Sequence, residues 1–563
     1  MQSSARLIAC ILLMFVAGCE GRIGGPAAGS SGSPGAPGPT PHDQMAQGSN
    51  PSLFAVASSY FPGQQAAPGA KRLFRLTRTQ LDLTAKTLLP AYAGKPALAV
   101  VPPDPLQTNY EYAANLSFND ANFTPYSNWV DGIAAAARAN PSSVVDCAAA
   151  GNTPACLQAG ARAFVARAFR GVTSDAQLAR FADFFTSSVA QVGLPDATAD
   201  LVSLVMTSPS FVYRDEVQTD AAGALLPAQR LQSMTYTLAD APPEAVGLSS
   251  AAPGAGLQDA ASLGATIEGI LATPAARAKL MRFFLAWLEV RDVDQYTIDP
   301  TAFPEFTPAV AAAAIEETRA FLTKQLAGAA PTLKDVTQST RSFVSSTLAS
   351  IYGVTRSSAT EMIDLDPTQR LGVFTQPAVI ASHSGPTTTR LVKRGVFFVR
   401  KVMCMPLGAP PPGVNTNIPP NATATERERI GTATANLPCS GCHAFINPFG
   451  FMMESFDPIG RWRTMDAGHP VDPSVSVSFL DEGPLAATTA VEALKGFTGS
   501  LKFKQCFARQ LFRFYLGREE TAADDPLLRQ MFFDFAANDE QAIIKLLRTL
   551  GNAPALSQRR ELP

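Results

Sequence analysis

The sequence predicts a mainly α protein, a multi-domain helical array with a c-type-haem-like C-x-x-C-H segment in its C-terminal third. Three observations predict it. Apolar residues recur at helical spacing through the long middle of the chain, and only one short stretch alternates as a strand does. The chain has 563 residues, 46% apolar and 16% charged, which suits several globular cores rather than one or none. Cys439-Ser-Gly-Cys-His443 draws two of the 8 cysteines and one of the 4 histidines into five positions, the pattern of c-type haem attachment.

The elements follow in order. Met1 to Arg6 carries one positive charge, and Leu7 to Gly18 is an apolar run of signal-peptide length, too short to span a bilayer. It ends at Val16-Ala17-Gly18-Cys19, which resembles a bacterial lipobox, so residues 1–19 are expected to be a lipoprotein signal peptide with Cys19 lipidated. The alternative is an ordinary secretory signal with a chance Cys. Residues 20–67 are expected to form a Gly/Pro/Ser-rich linker, with His42 a solvated bystander.

An N-terminal helical domain is expected over 68–140, opening with an amphipathic helix at 72–89. Residues 141–207 follow, with helices at 156–170 and 175–192. Cys147 and Cys156 flank a turn rich in Gly, Asn and Pro, and a bridge between them would stabilise the fold by about 2–3 kcal/mol. The central helical domain, 208–338, carries helices at 274–290 and 307–326. The C-x-x-C-H domain spans 339–480. It holds a helix ending at Cys404 before Pro410–Pro412, and the alternating SVSVSFL at 474–480, which suits a hairpin strand. A C-terminal helical domain occupies 481–563, and its helix at 501–519 stops near Gly517.

In a c-type centre every residue of the motif has a task. The thiols of Cys439 and Cys442 add across the porphyrin vinyl groups, and the imidazole of His443 ligates the iron from the proximal side. A backbone carbonyl in the Asn447-Pro448 loop is expected to accept the His443 Nδ1–H and fix its tautomer. Arg461 and Arg463 are candidates to pair with propionates, or else lie on a solvated surface. The distal ligand is sought among His383, Met465, Met452, Met453 and His469, with His383 or Met465 retained, or the sixth position is open.

Other readings of the cysteines stand beside this one. Cys404, Cys439, Cys442 and His443 would make a Cys₃His zinc set, and Cys439–Cys442 would make a plain disulfide. If haem takes the motif thiols, Cys404 and Cys506 are left to bridge the last two domains. A net charge of -2 supplies no field for nucleic acid. The chain contains no phosphate-binding G-x-x-x-x-G-K-[ST], no H-E-x-x-H and no G-x-S-x-G.

The segment from Cys439 to Arg463, CSGCHAFINPFGFMMESFDPIGRWR, resembles the C-x-x-C-H, Pro-x-Gly-Phe, Glu-x-Phe-Asp, Gly-x-x-Arg signature of the planctomycete cytochrome c-like family. Its members are large secreted bacterial proteins built from serial domains of unknown function. The opening helix RLFRLTRTQLDLT, FVARAFRGVTSDAQL, MTSPSFVYR, LMRFFLAWL and CFARQLFRFYLGRE extend the resemblance over roughly 70–550. One departure is Thr388-Thr389-Arg390-Leu391, where members read Thr-Ser-Pro. Members carry other residues at Met452 and Met453, which speaks against those two as ligands. The resemblance implies a mostly helical, secreted, haem-bearing protein and no particular substrate.

The expected function is that of a lipoprotein of the cell envelope, anchored in the outer membrane or secreted. It would carry one covalent haem c for electron transfer or haem-dependent oxidation, and meet an unknown redox partner or polymer. The alternative is a non-enzymatic surface or binding protein whose C-x-x-C-H holds zinc or a disulfide.

Overall fold

The chain forms helices where its sequence supplies their ends. Ser174 accepts from the Gln177 N–H while the Gln177 side chain accepts from the Ser174 N–H, so helix Asp175–Val192 starts with its orphan donors satisfied. Helices Pro154–Ala168, Pro274–Trp287 and Pro308–Gln325 begin with a proline whose missing N–H costs nothing there. Helix Leu501–Leu516 ends at Gly517, in the left-handed region with φ +60°, as the sequence implied. The computed structural model describes residues 41–63, 65–92, 101–355, 361–410, 418, 423–537 and 541–561. Residues 1–40 lie outside these, and with them the expected signal peptide and Cys19. Among the described residues the sheets are all two-stranded ribbons, so the class is mainly α as expected. The hairpin expected at 474–480 is present as Val475–Val477 paired antiparallel with Leu485–Ala487.

Two segments depart from expectation. The helix sought at 72–89 starts only at Arg78, because Thr77 caps it with a reciprocal Gln80 bond. Before it, Arg72–Arg75 is a strand paired antiparallel with Tyr213–Glu216. There Phe74 and Arg75 are buried and Leu73 is exposed, and pairing across the chain overrides local helix propensity. Within the stretch expected as linker, Pro41–Ser49 and Pro51–Tyr60 are helices packed on helix Asp525–Ala536. Arg529, 2% exposed, holds both carboxylate oxygens of Asp43 at 3.0 and 3.1 Å and donates to Phe61 O at 2.7 Å. His42 bonds Asp534 at 3.0 Å and sets its ring edge-on to Phe533, so it is no bystander. Short apolar residues such as Leu53 and Ala57 give these helices a face to bury despite the Gly/Pro composition around them.

Pro39–Pro563 is one compact unit. Its largest apolar core joins Leu53, Phe284, Val399, Phe449, Phe507 and Leu546. A second core joins Leu81, Trp129, Phe164, Phe185 and Leu201. Two disulfides staple the chain. Cys147–Cys156 closes the turn expected for it, and Cys404–Cys506 ties the segment after residue 402 to helix Leu501–Leu516. Such bonds belong to an oxidising compartment. No helix among the described residues is long and apolar enough to cross a membrane.

The helix that bears the motif, Cys439–Phe451, crosses helix Leu391–Phe397 at close range. Glycine on both sides makes the crossing feasible. A Cβ on Gly395 would strike the Ile446 carbonyl oxygen, and one on Gly450 would strike the Leu391 carbonyl oxygen. After Phe397 the backbone widens into a π-turn, Phe398–Val402.

Candidate haem-attachment site

Helix Cys439–Phe451 places Cys439, Cys442 and His443 on one turn, at i, i+3 and i+4. Both thiols are free; Cys442 is exposed and Cys439 half-buried. The expected loop at Asn447-Pro448 is not a loop, since the helix continues through Pro448. The partner of His443 is therefore not a backbone carbonyl but the side chain one helical turn on. His443 Nδ1 meets Asn447 Oδ1 at 2.8 Å.

The next contacts settle the direction of that bond. Thr434 Oγ1 gives its only proton to Ile430 O at 2.7 Å, so toward Asn447 it is an acceptor. Asn447 Nδ2 donates to it at 2.9 Å. The Asn447 amide is thereby turned with its oxygen to His443, which must present N–H at Nδ1. In the neutral ring Nε2 then keeps its lone pair, and a ligating histidine is held this way by its outer partners.

His443 lines a cavity of about 870 Å³, within the range of small-molecule and cofactor sites. Ala444, Pro448 and Phe451 form one wall, and the ribbon residues Val475 and Ala487 form the opposite one. Neither thiol lines it, although both belong to the same turn as His443, and Cys442 is the exposed one. Arg427 is the one cation on the described wall. It lies over the Phe451 ring, 4.8 Å from the centroid, and donates to Asp472 O and Ser474 O at 2.6 Å.

The remaining expected site residues lie elsewhere. Arg461 and Arg463 line a separate cavity of about 590 Å³ together with Met465. They are neither propionate partners at His443 nor idle surface. Arg461 pairs with Asp457 at 2.6 Å and with Glu305, and Arg463 pairs with Asp466 at 2.7 Å and donates to Glu454 O at 2.9 Å. The Glu-x-Phe-Asp and Gly-x-x-Arg portions of the signature thus build one turn after the motif helix. His383 is buried in a third cavity, where Nδ1 bonds Val379 O at 2.8 Å and Nε2 bonds Glu289 at 3.2 Å, so both ring nitrogens are already used. Met465 is half exposed on a two-residue strand, and His469 is on its partner strand. Met452 and Met453 are core. The structure brings none of these to the His443 cavity, whose described wall holds no Met, no Lys and no His besides His443.

The zinc set is not assembled either, because Cys404 is bonded to Cys506. Among the described residues no group of three or more His, Cys, Asp or Glu side chains is placed to hold a metal ion. The residues the sequence reading missed are Asn447 as a side-chain partner, Thr434 and Arg427. The i, i+4 spacing of His443 and Asn447 was the available signal for the first.

Two family models match the chain. PSCyt3, a protein of unknown function (DUF1588), matches residues 370–466, the span that contains the motif helix and the turn after it. PSD4, a protein of unknown function (DUF1592), matches residues 228–354. Both are families of planctomycete cytochrome-like domains, and the resemblance read from the residues holds at that level. No curated protein and no solved structure matches the chain.

Proposed function

We propose that this chain is an exported, lipid-anchored carrier of one covalent haem c, serving electron transfer or a haem-dependent oxidation. The observation that carries the proposal is the relay from His443 through Asn447 and Thr434 to Ile430 O, set beside two free thiols at C-x-x-C spacing. The cytochrome-like naming of the matched families supports it. Haem c, when bound, supplies one-electron chemistry at its iron.

The chain's own residues do the rest. Cys439 and Cys442 tether by adding their S–H bonds across the two vinyl groups. His443 offers Nε2, and Asn447 holds the proton on Nδ1 and so raises the basicity of the ligand. Arg427, rather than Arg461 or Arg463, is the guanidinium on this cavity's described wall, and a propionate there would share it with Asp472, which it pairs with at 3.2 Å. Phe451, Pro448, Val475 and Ala487 keep the cavity apolar, which tunes a redox centre through local dielectric. The described wall offers a bound iron no second side chain of the usual ligating kind. Cys19 supplies the anchor and the partner is a redox protein or polymer.

Protein exported in a host that attaches haem is expected to keep its Soret band through acid–acetone extraction, and its reduced form to shift that band under carbon monoxide. A colourless protein that releases zinc would overturn the proposal. Asn447→Leu tests the relay. Covalent pigment is expected to persist, while loss of the Nδ1–H acceptor weakens donation to the oxidised iron. The midpoint potential then rises by about 60 mV, the equivalent of one tenfold change for one electron, measured by spectroelectrochemistry.

A further inference from the structure

A third cavity, of about 650 Å³, is built around charge and lies apart from His443. Its walls come from the hairpin tip Thr108–Asn109, from Glu289 and His383, from the run 393–407 and from helix Leu501–Leu516. The charged groups facing it are Glu289, His383, Lys393, Arg400, Lys401, Arg513 and Glu519.

Most of them are spoken for. His383 and Glu289 are bonded to each other at 3.2 Å. Burial pushes the Glu289 carboxyl up, but the His383 bond and the charges of His383, Lys401 and Lys393 hold it below its ordinary value. Arg513 is committed to Glu520 through two bonds of 2.6 Å. Arg400 and Glu519 are exposed.

Lys393 and Lys401 remain. Lys401 is 6% exposed; its ammonium donates to Thr108 O and lies 4.1 Å from the centre of the Tyr110 ring. Lys393 is half-buried and donates to Ser382 O at 2.8 Å. Neither has an ion-pair partner among the described residues. Desolvation brings both ammonium groups down to about 8. Buried cations ordinarily sit in contact with a counter-charge; here the one carboxylate that acts on both, Glu289, is bonded to His383 rather than to either ammonium, and both ammonium groups line the cavity.

The backbone around them is unusual as well. Glu289 and Cys404 hold left-handed conformations at φ +56° and +47°, and Arg400 and Lys401 belong to the π-turn. Both features gather at ligand sites. Val396, Phe397, Met405 and Leu407 give the same cavity an apolar side.

We propose that this cavity binds an amphipathic organic anion, its acidic group between Lys393 and Lys401 and its apolar body against Val396, Phe397 and Leu407. The proposal is independent of haem at His443.

Two dyes that share a ring system test it on the full-length mature protein. 1-Anilinonaphthalene-8-sulfonate carries the anion, and N-phenyl-1-naphthylamine lacks it. In fluorescence titrations the sulfonate is expected to bind at least about tenfold more tightly than the neutral dye, since one charge-assisted bond is worth about that. Lys393→Met/Lys401→Met is expected to erase the difference, Lys393→Met alone to reduce it in part, and Lys324→Met, at an exposed site elsewhere, to change nothing. The single variant keeps a half-buried site and serves if the double variant fails to fold. The sulfonate stays ionised at every pH used, so its affinity is expected to fall between pH 7 and 9.5 as the ammonium groups lose their protons, while neutral-dye binding stays level. Equal binding of the two dyes, sulfonate binding untouched by either lysine change, or a flat pH profile would each overturn the proposal.

Discussion

The double substitution Cys439→Ser/Cys442→Ser is expected to leave the acid–acetone-treated chain with no Soret absorbance at all. The effect is all-or-none because serine hydroxyls do not add across vinyl groups, and no other free thiol is present among the described residues. Cys147, Cys156, Cys404 and Cys506 are in disulfides. Haem held by His443 alone would be extracted by the acid treatment, so the washed protein reports the tethers and not the ligand. Folding is expected to be nearly untouched. Both thiols lie outside the apolar cores, and surface substitutions of this kind change stability by about 0.5 kcal/mol or less. Far-UV dichroism and a thermal midpoint close to those of the parent would show that pigment was lost and structure was not. The single change Cys442→Ser removes the more exposed tether and is expected to keep one thioether. Pigment that withstands extraction in the double variant would contradict the assigned attachment.

What the sequence made legible was what local chemistry decides. Helices Asp175–Val192 and Leu501–Leu516 could be read because a Ser cap and a Gly terminator bracket an apolar stripe. The bridge Cys147–Cys156 could be read because nine residues and a turn bring the thiols together. Contacts between distant segments were not legible. The strand Arg72–Arg75 exists because Tyr213–Glu216 pairs with it, and helix Pro41–Ser49 is fixed because Arg529 waits for Asp43. At the site the division is the same. C-x-x-C-H announced its three residues, and spacing alone would have found Asn447. The distal candidates His383 and Met465 were chosen by residue type, and type does not say that Glu289 occupies one and that a different cavity holds the other. Arg461 and Arg463 stood near the motif in sequence, yet Asp457 and Asp466 engage them within their own turn, whereas Arg427 reaches the cavity from the helix before it.

Glu216→Gln is expected to cost about 4 kcal/mol of stability, measured by chemical denaturation, the scale on which a buried ion network fails when its central charge is removed. Glu216 is fully buried and three guanidiniums converge on it. Arg559 donates at 2.8 Å, Arg214 stands at 2.9 Å and Arg72 at 4.0 Å. A neutral amide leaves Arg214 and Arg559 uncompensated in a dry site, so the loss exceeds that of deleting any one arginine; Arg72→Met, the most distant and partly exposed, is expected to cost well under half as much. The pH dependence follows with its sign. Burial alone would raise the Glu216 carboxyl, but Arg214, Arg559 and Arg72 outweigh it and hold the group below 4.5, its unfolded value. A depressed acid adds stability that is complete above the unfolded value and is lost as pH falls through the folded one. The parent is therefore expected to weaken below pH 4.5 more steeply than Glu216→Gln, which has already lost that contribution. The network joins Arg72–Arg75, Tyr213–Glu216 and Arg559, so acid opens the place where these three distant segments meet. If haem is held by thioether bonds, pigment must stay on the chain through that transition while helical dichroism falls. A chain that sheds colour as its helices melt in acid would indicate a pigment never bonded to Cys439 and Cys442.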